Sequence, residues 1–320
     1  MKEHRVLVVQ PLHPQAMAML DARPDVMYTV LTDVSEANLL AQVADVDAIT
    51  IRDAVLPASA VDAAHRLKVI SRHGVGYDSI PMAMCTARGI PVTVVGTANT
   101  VSVAEQTMLL ILAAARAAIE LDAATRAGDF AVRTRVRGVE LRGRRLLLVG
   151  YGRIGREVAH RALAFEMRVR IFDPFVTATL AAGIEVVEEL DDGLRDADVV
   201  SLHVPLTAAT RHLIGARELA LLPRGAIIVN TGRGGLIDEA ALLASVRSGH
   251  LHGAGLDTFE TEPLPAHSPL LRERRIVLSP HSAALTEQAL IAMGRTTIAN
   301  ALAGIDGTLD PDLVVNPQVL

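Results

Sequence analysis

The sequence predicts an α/β protein with two parallel-sheet domains. Three observations predict it: 320 residues of which half are hydrophobic, short β-branched runs that alternate with amphipathic stretches, and a single break in that alternation after Asn99. A chain of this length and apolar content can bury two cores of ordinary size. The alternation implies parallel strands covered on both faces by helices.

The first series places strands at 6–9, 48–51, 69–71 and 92–95, with helical stretches at 14–22, 57–65 and 82–88. Ser102-Val103-Ala104-Glu105 has the form of a capping box, and the Ala/Leu-rich segment behind it is expected to be helical to about residue 118. A helix apolar on nearly every side has to be buried, between domains or between subunits. A second series follows, with strands at 146–149, 168–172, 185–187, 199–203, 227–230, 255–257 and 276–278. The last long amphipathic segment, 287–303, would carry the chain back to the first domain. The expected boundaries are therefore 1–98 plus 286–320 for a substrate-binding domain and 99–285 for a nucleotide-binding one. Two such domains joined by two long helices would leave a ligand cleft between them.

Composition excludes several functions. The formal charge is −5, and no run of Lys or Arg is long enough to follow a phosphate backbone, so nucleic acid is not an expected partner. Cys85 is the only cysteine, which rules out an intrachain disulfide or a cysteine-built metal cluster and suits a reducing cytoplasm. No metal is expected. Residues 6–9 are too few for a signal-peptide core, so no export is expected. The apolar run 108–115, closed by Arg116, is far short of the ~20 residues that cross a bilayer, and no membrane association is expected.

Leu146-Leu147-Leu148-Val149-Gly150-Tyr151-Gly152-Arg153-Ile154-Gly155 is an apolar strand leading into G-x-G-x-x-G and a helix. Gly150 suits the tight turn, Gly152 the approach of a pyrophosphate, and Gly155 the packing of helix on strand. Free amides at the helix start then face the phosphate charge. Asp173 ends the next strand, 23 residues after Gly150, where a carboxylate accepts from a ribose 2′-hydroxyl and repels a 2′-phosphate. The expected cofactor is NAD rather than NADP.

Three further groups follow strands of the same domain: Arg233 in Asn230-Thr231-Gly232-Arg233-Gly234-Gly235, Glu262 in Asp257-Thr258-Phe259-Glu260-Thr261-Glu262-Pro263, and His281 in Ser279-Pro280-His281-Ser282-Ala283-Ala284. A guanidinium fork binds a carboxylate through two parallel hydrogen bonds. Histidine titrates near neutrality, and a carboxylate beside it favours the charged form. Together they suit proton and hydride exchange with a 2-oxo acid.

These residues resemble the D-isomer-specific 2-hydroxyacid dehydrogenases, and the resemblance covers nearly the whole chain. Its further marks are His73-Gly74-Val75-Gly76-Tyr77-Asp78 and Asn99-Thr100-Val101-Ser102-Val103-Ala104-Glu105. The resemblance implies that Arg233, Glu262 and His281 are the catalytic group, and that the Val75 and Gly76 amides, with Asn99, hold the substrate carboxylate. It implies that Arg153 and Ile154 meet the pyrophosphate, while His203, Pro205, Thr231 and Asp257 line the adenine or nicotinamide parts of the site. It also implies a homodimer that buries the long apolar helix. The match is to short, phosphoglycerate-dehydrogenase-like members, so neither a regulatory domain after Leu320 nor feedback control through one is expected.

Gly232 stands where the family usually has Ala, and Ala283-Ala284 where one of the pair is usually Gly. Neither change removes a functional group. Arg52 and Arg72 fall where phosphoglycerate-binding relatives carry arginines, which points to a phosphorylated or otherwise anionic 2-hydroxy or 2-oxo acid. A non-catalytic NADH-responsive binding protein, such as the corepressors that share this fold, is the alternative, and the retained catalytic trio speaks against it. Formate dehydrogenases lack a Glu at the position of Glu262.

Overall fold

The computed structural model describes residues 3–176 and 180–320. The chain divides into two compact units, Met1–Asn99 with Leu285–Leu320, and Thr100–Ala284. The first contains β1 (His4–Val9), α1 (Pro14–Asp21), β2 (Val26–Leu31), α2 (Glu36–Val43), β3 (Ala48–Ile51), α3 (Ala58–Ala63), β4 (Val69–Arg72), α4 (Met82–Ala87) and β5 (Val92–Thr93). The second contains α5 (Thr100–Ala115), α6 (Ala118–Arg126), β6 (Arg145–Val149), α7 (Arg153–Ala164), β7 (Arg168–Phe172), β8 (Ile184–Val186), α8 (Leu190–Arg195), β9 (Val199–Leu202), α9 (Ala216–Leu221), β10 (Ile227–Asn230), α10 (Glu239–Arg247), β11 (Gly253–Leu256) and β12 (Ile276–Leu278). The chain then returns to the first unit through α11 (Glu287–Asp306).

Among the described residues every pairing of one named strand with another is parallel, and a single antiparallel bridge joins Thr93 of β5 to Val314. The first sheet runs β2-β1-β3-β4-β5 and the second β12-β11-β10-β9-β6-β7-β8. The first order is that of flavodoxin-like sheets, the second that of dinucleotide-binding sheets extended by one strand. Parallel strands need cover on both faces, and the side chains alternate accordingly. Leu147 and Val149 of β6 enter one core with Val200 and Leu202, while Leu146 and Leu148 enter another with Val199 and Val229. In the first unit Leu7 and Val9 pack on one face of β1, and Val6 and Val8 meet Ile298 and Ala301 of α11 on the other.

Two details differ from the sequence reading. The edge strand β2 and the helix α2 were not legible: Met27, Tyr28 and Val30 are exposed, so the edge strand shows no contrast between an inner and an outer face. The capping box at Ser102 does not form. Helix α5 already begins at Thr100, and the buried Ser102 hydroxyl donates to the Ala283 carbonyl at 2.6 Å, a bond to the loop after β12 that takes the place of a cap. Glu105 faces Arg161 of α7 instead, at 3.8 Å. Among the described residues no helix is long and apolar enough to cross a membrane.

Candidate active site

In the second unit the strand order reverses between β6 and β9, which opens a crevice at their carboxyl ends. Gly150 follows β6 with φ +98°, a conformation costly for any residue with a Cβ, and a Cβ there would lie 2.6 Å from the His203 carbonyl that follows β9. A Cβ on Gly155 would strike the Gly150 carbonyl, so both glycines are dictated by close packing. Gly152 is different: nothing lies within 4 Å of where its side chain would be. Open space at that point, at the start of a twelve-residue helix, is what a pyrophosphate needs. The first turn of α7 holds no acid but carries Arg153, and the Arg156 guanidinium lies over the Tyr151 ring at 5.6 Å. Cations at a helix N-terminus oppose its dipole, and a bound anion would reconcile them.

Asp173 is half-buried at the end of β7, where its two carboxyl oxygens accept from the Tyr151 amide (2.8 Å) and the Phe175 amide (2.9 Å). Each oxygen keeps a lone pair for a ribose hydroxyl. Burial pushes the His203 imidazole down to about 4, so it is neutral, and its Nε2 meets the Ser201 hydroxyl at 2.9 Å. Ile154 is partly buried against the core beneath the loop, and the Pro205 carbonyl accepts from Thr210. These residues fit a dinucleotide.

Arg233, Glu262 and His281 follow β10, β11 and β12, three adjacent strands. His281 Nδ1 meets Glu262 Oε2 at 2.7 Å, and Glu262 Oε1 accepts from the Phe259 amide at 2.9 Å. The Glu262 hydrogen bond raises the His281 imidazole above its ordinary value; burial and the Arg233 charge oppose this, and the Glu262 and Asp257 charges support it. For Glu262 burial favours the neutral acid, but the His281 and Phe259 hydrogen bonds and the His281 and Arg233 charges together hold it below the ordinary value. A Cβ on Gly234 would collide with the Phe259 carbonyl, so this glycine lets the Arg233 loop lie directly against the Glu262 loop. Asn230 fixes the Arg233 loop, donating to the Arg233 carbonyl (2.7 Å) and accepting from the Gly232 amide (3.0 Å).

Two residues expected around the cofactor have their polar atoms committed within the protein. Asp257 is fully buried; one carboxyl oxygen accepts from the Ser279 hydroxyl (2.5 Å) and the Ser282 amide (2.9 Å), the other from the Ala283 amide (2.9 Å). The Thr231 hydroxyl shares a 2.8 Å hydrogen bond with Thr107 of α5. Sequence reasoning missed Gln106 and Thr107 and gave Ser102 a capping role, whereas the three tie α5 to both loops; Gln106 donates to Ser279 at 3.0 Å. Their only sequence signal is polarity on an otherwise apolar helix.

In the first unit the order reverses between β1 and β3, and Arg52 follows β3. Its Nη1 donates to the Pro11 carbonyl at 3.0 Å, while its buried Nε has no hydrogen-bond partner among the described residues. The buried His73 is held down to about 4 by burial and by the Arg52 and Arg72 charges. Val75 and Gly76 lie just beyond it, partly buried, and the buried Asn99 side-chain oxygen has no hydrogen-bond partner among the described residues. Arg52, Val75, Gly76 and Asn99 thus belong to the first unit, and the Arg233 trio to the second. Among the described residues no group of three or more His, Cys, Asp or Glu could hold a metal ion.

Residues 108–283 match the family described as D-isomer specific 2-hydroxyacid dehydrogenase, NAD binding domain. The chain is 38% identical over 318 residues to a D-3-phosphoglycerate dehydrogenase of Methanocaldococcus jannaschii, covering 98% of this chain and 60% of that protein. It is 37% identical over 326 residues to a glyoxylate reductase of Aeropyrum pernix, covering 98% of this chain and 96% of the relative. A crystal structure of a glyoxylate reductase from Paecilomyes thermophila superposes with a TM-score of 0.89 at 30% identity, covering 99% of this chain and all of the other. The chain spans about three-fifths of the length of the phosphoglycerate dehydrogenases it matches.

The Glu262–His281 pair stabilises the fold where both members are charged. The carboxyl lies below its ordinary 4.5, so its contribution is complete above about pH 4.5 and is lost as pH falls through the folded value. The imidazole lies above its ordinary 6.5, so its contribution is complete below about pH 6.5 and is lost as pH rises through the folded value. Glu262→Gln should therefore lower Tm more at about pH 5.5 than at about pH 9. The difference should be no more than a few degrees, since the side chains are 35% and 47% exposed. Equal Tm losses at the two pH values would count against the ion pair.

Proposed function

The chain belongs to the D-isomer specific 2-hydroxyacid dehydrogenases, and on that premise we propose that it is an NAD-dependent enzyme interconverting a small D-2-hydroxy acid and its 2-oxo acid. The observation that carries the proposal is the 2.7 Å contact between His281 Nδ1 and Glu262, on loops beside that of Arg233. Bound NAD supplies or takes up the hydride at its nicotinamide ring. With Nδ1 engaged by Glu262, His281 Nε2 is the nitrogen that gives a proton to the carbonyl oxygen in reduction and takes it from the hydroxyl in oxidation. Glu262 fixes the ring orientation and stabilises the imidazolium. Arg233 holds the substrate carboxylate through its planar fork.

Gly150, Gly152, Arg153, Ile154, Gly155 and Asp173 hold the dinucleotide in this reading, with His203 and Pro205 beside it. Thr231 and Asp257 shape the site from beneath, through the bonds that occupy their side chains. The Val75 and Gly76 amides and Asn99 serve the substrate carboxylate. Arg52 adds a cation for a second anionic group, supported by the buried Nε that no described residue satisfies; the substrate it suits is a phosphorylated or doubly anionic acid. Paired Glu262 and His281, placed for proton transfer, favour this enzyme over a non-catalytic NADH-binding relative. The same reading includes a homodimer, supported by Val101 and Leu109, 51% and 56% exposed on one stripe of α5. It also includes a cytoplasmic location, supported by the free, buried Cys85.

Glyoxylate, hydroxypyruvate, pyruvate and phosphohydroxypyruvate, each assayed with NADH and with NADPH, test the proposal. Turnover of at least one, with higher kcat/KM for NADH because Asp173 repels a 2′-phosphate, is the expected result; no turnover of any 2-oxo acid would overturn it. Arg233→Lys keeps the charge but loses the fork, and kcat/KM should fall on the order of 10²-fold or more. Near-wild-type kinetics in that variant would show that Arg233 does not hold the substrate.

A further inference from the structure

A second feature of the NAD-binding unit lies at the opposite end of its sheet. The turns that lead into β10, β11 and β12, together with the end of α5 and the segment after α6, enclose a cavity of about 370 Å³. It is lined by Arg135, Arg137, Arg224, Arg274, Arg275 and His252, and by one carboxylate, Glu120. Arg135 is paired with Asp129, and Arg275 with Glu273 at 3.0 Å. Arg137, Arg224 and Arg274 make no hydrogen bond or ion pair with any described residue. Five guanidinium groups around one cavity repel one another, and they stand on a chain whose formal charge is −5. Its lining also includes the apolar side chains of Ala113, Ala114 and Val277, so the space combines apolar surface with forked donors.

We propose that this cavity is a binding site for a small polyanion carrying two or more phosphate or carboxylate groups. The volume lies at the lower end of the range for small-molecule sites. Unpartnered guanidinium groups on three separate segments, the one after α6 and the turns before β10 and β12, can each present two parallel donors, a geometry matched to phosphate and carboxylate oxygens. A single monovalent anion could not satisfy groups carried on three segments. The site is separate from the glycine loop and from His281, which follow β6 and β12 at the carboxyl end of the same sheet. Strands β10, β11 and β12 connect the two ends directly: Arg224, His252 and Arg274 precede them in turn, and the Arg233, Glu262 and His281 loops follow them.

The experiment is calorimetric titration of the NADH-saturated protein with pyrophosphate and with citrate, in about 0.15 M salt so that diffuse attraction is screened. NADH occupies the glycine loop, so pyrophosphate cannot report binding there. Saturable binding of either polyanion, but not of acetate, is expected; the stronger of the two identifies phosphate or carboxylate as the preferred group. Arg137→Ala and Arg274→Ala should each weaken it on the order of tenfold. Both residues are exposed and unpartnered, so the variants should melt as the wild type does. Arg142→Ala, which removes a surface arginine paired with Glu166 outside the cavity, should leave binding unchanged. Absence of saturable binding, as when a second copy of the chain covers the cavity, would overturn the proposal. So would equal weakening by Arg142→Ala, or weakening by Arg52→Ala alone. None of these readings depends on turnover, so they stand apart from the test of the dehydrogenase activity.

Discussion

The end of the second unit that carries Arg233, Glu262 and His281 depends on one buried carboxyl group. Asp257 leaves the end of β11 with no exposed surface and accepts hydrogen bonds from Ser279, Ser282 and Ala283, the residues on both sides of His281. A buried carboxyl is costly unless its oxygens are satisfied, and here the loop after β12 satisfies them. The His281 amide adds a 2.7 Å bond to the Asp257 carbonyl, and His281 itself adopts φ +50°. A conformation so rarely taken by a residue with a side chain persists only where its surroundings enforce it. The Asp257 contacts enforce it, and they thereby bring the imidazole to Glu262.

Around this centre the architecture supplies direction. The described strands of each sheet pair in parallel, so every loop that follows one emerges at the same end of its sheet, and Arg233, Glu262 and His281 become neighbours although 48 residues separate the first from the last. Close backbone approaches then set their spacing. Gly234 against Phe259 presses the arginine loop on the glutamate loop, and Gly150 against His203 shapes the nucleotide crevice. Polar side chains of the otherwise apolar α5 brace the same loops from behind through Ser102, Gln106 and Thr107. A helix whose apolar residues make cores and whose few polar residues fix loops joins stability to site geometry.

Much of this was legible in the sequence for a physical reason. Buried parallel strands are continuous apolar runs, so β3, β6, β9 and β10 announce themselves, and two glycines of the fingerprint, Gly150 and Gly155, are dictated by collisions that a Cβ would cause. The paired Glu262 and His281 were legible as residues after strands, though their contact required the fold. What was hidden followed from tertiary context. The edge strand β2 lacks a contrast of faces, Ser102 forgoes a capping role for a bond to a loop 181 residues away, and Asp257 and Thr231 spend their polar atoms within the protein. The arginines of the cavity are scattered over 135–275 and become a cluster only when three segments converge.

The central claim is that Glu262 holds His281 as a proton donor and acceptor at a raised pKa. The pH dependence of kcat/KM, measured in both directions for the wild type and Glu262→Gln, tests it most directly. Reduction needs protonated His281 and falls as pH rises through its pKa; oxidation needs neutral His281 and falls as pH drops through it. Removing the carboxylate charge lowers that pKa, so both limbs should move to lower pH in the variant. Limbs that stay fixed, or that move in opposite directions, would contradict the account.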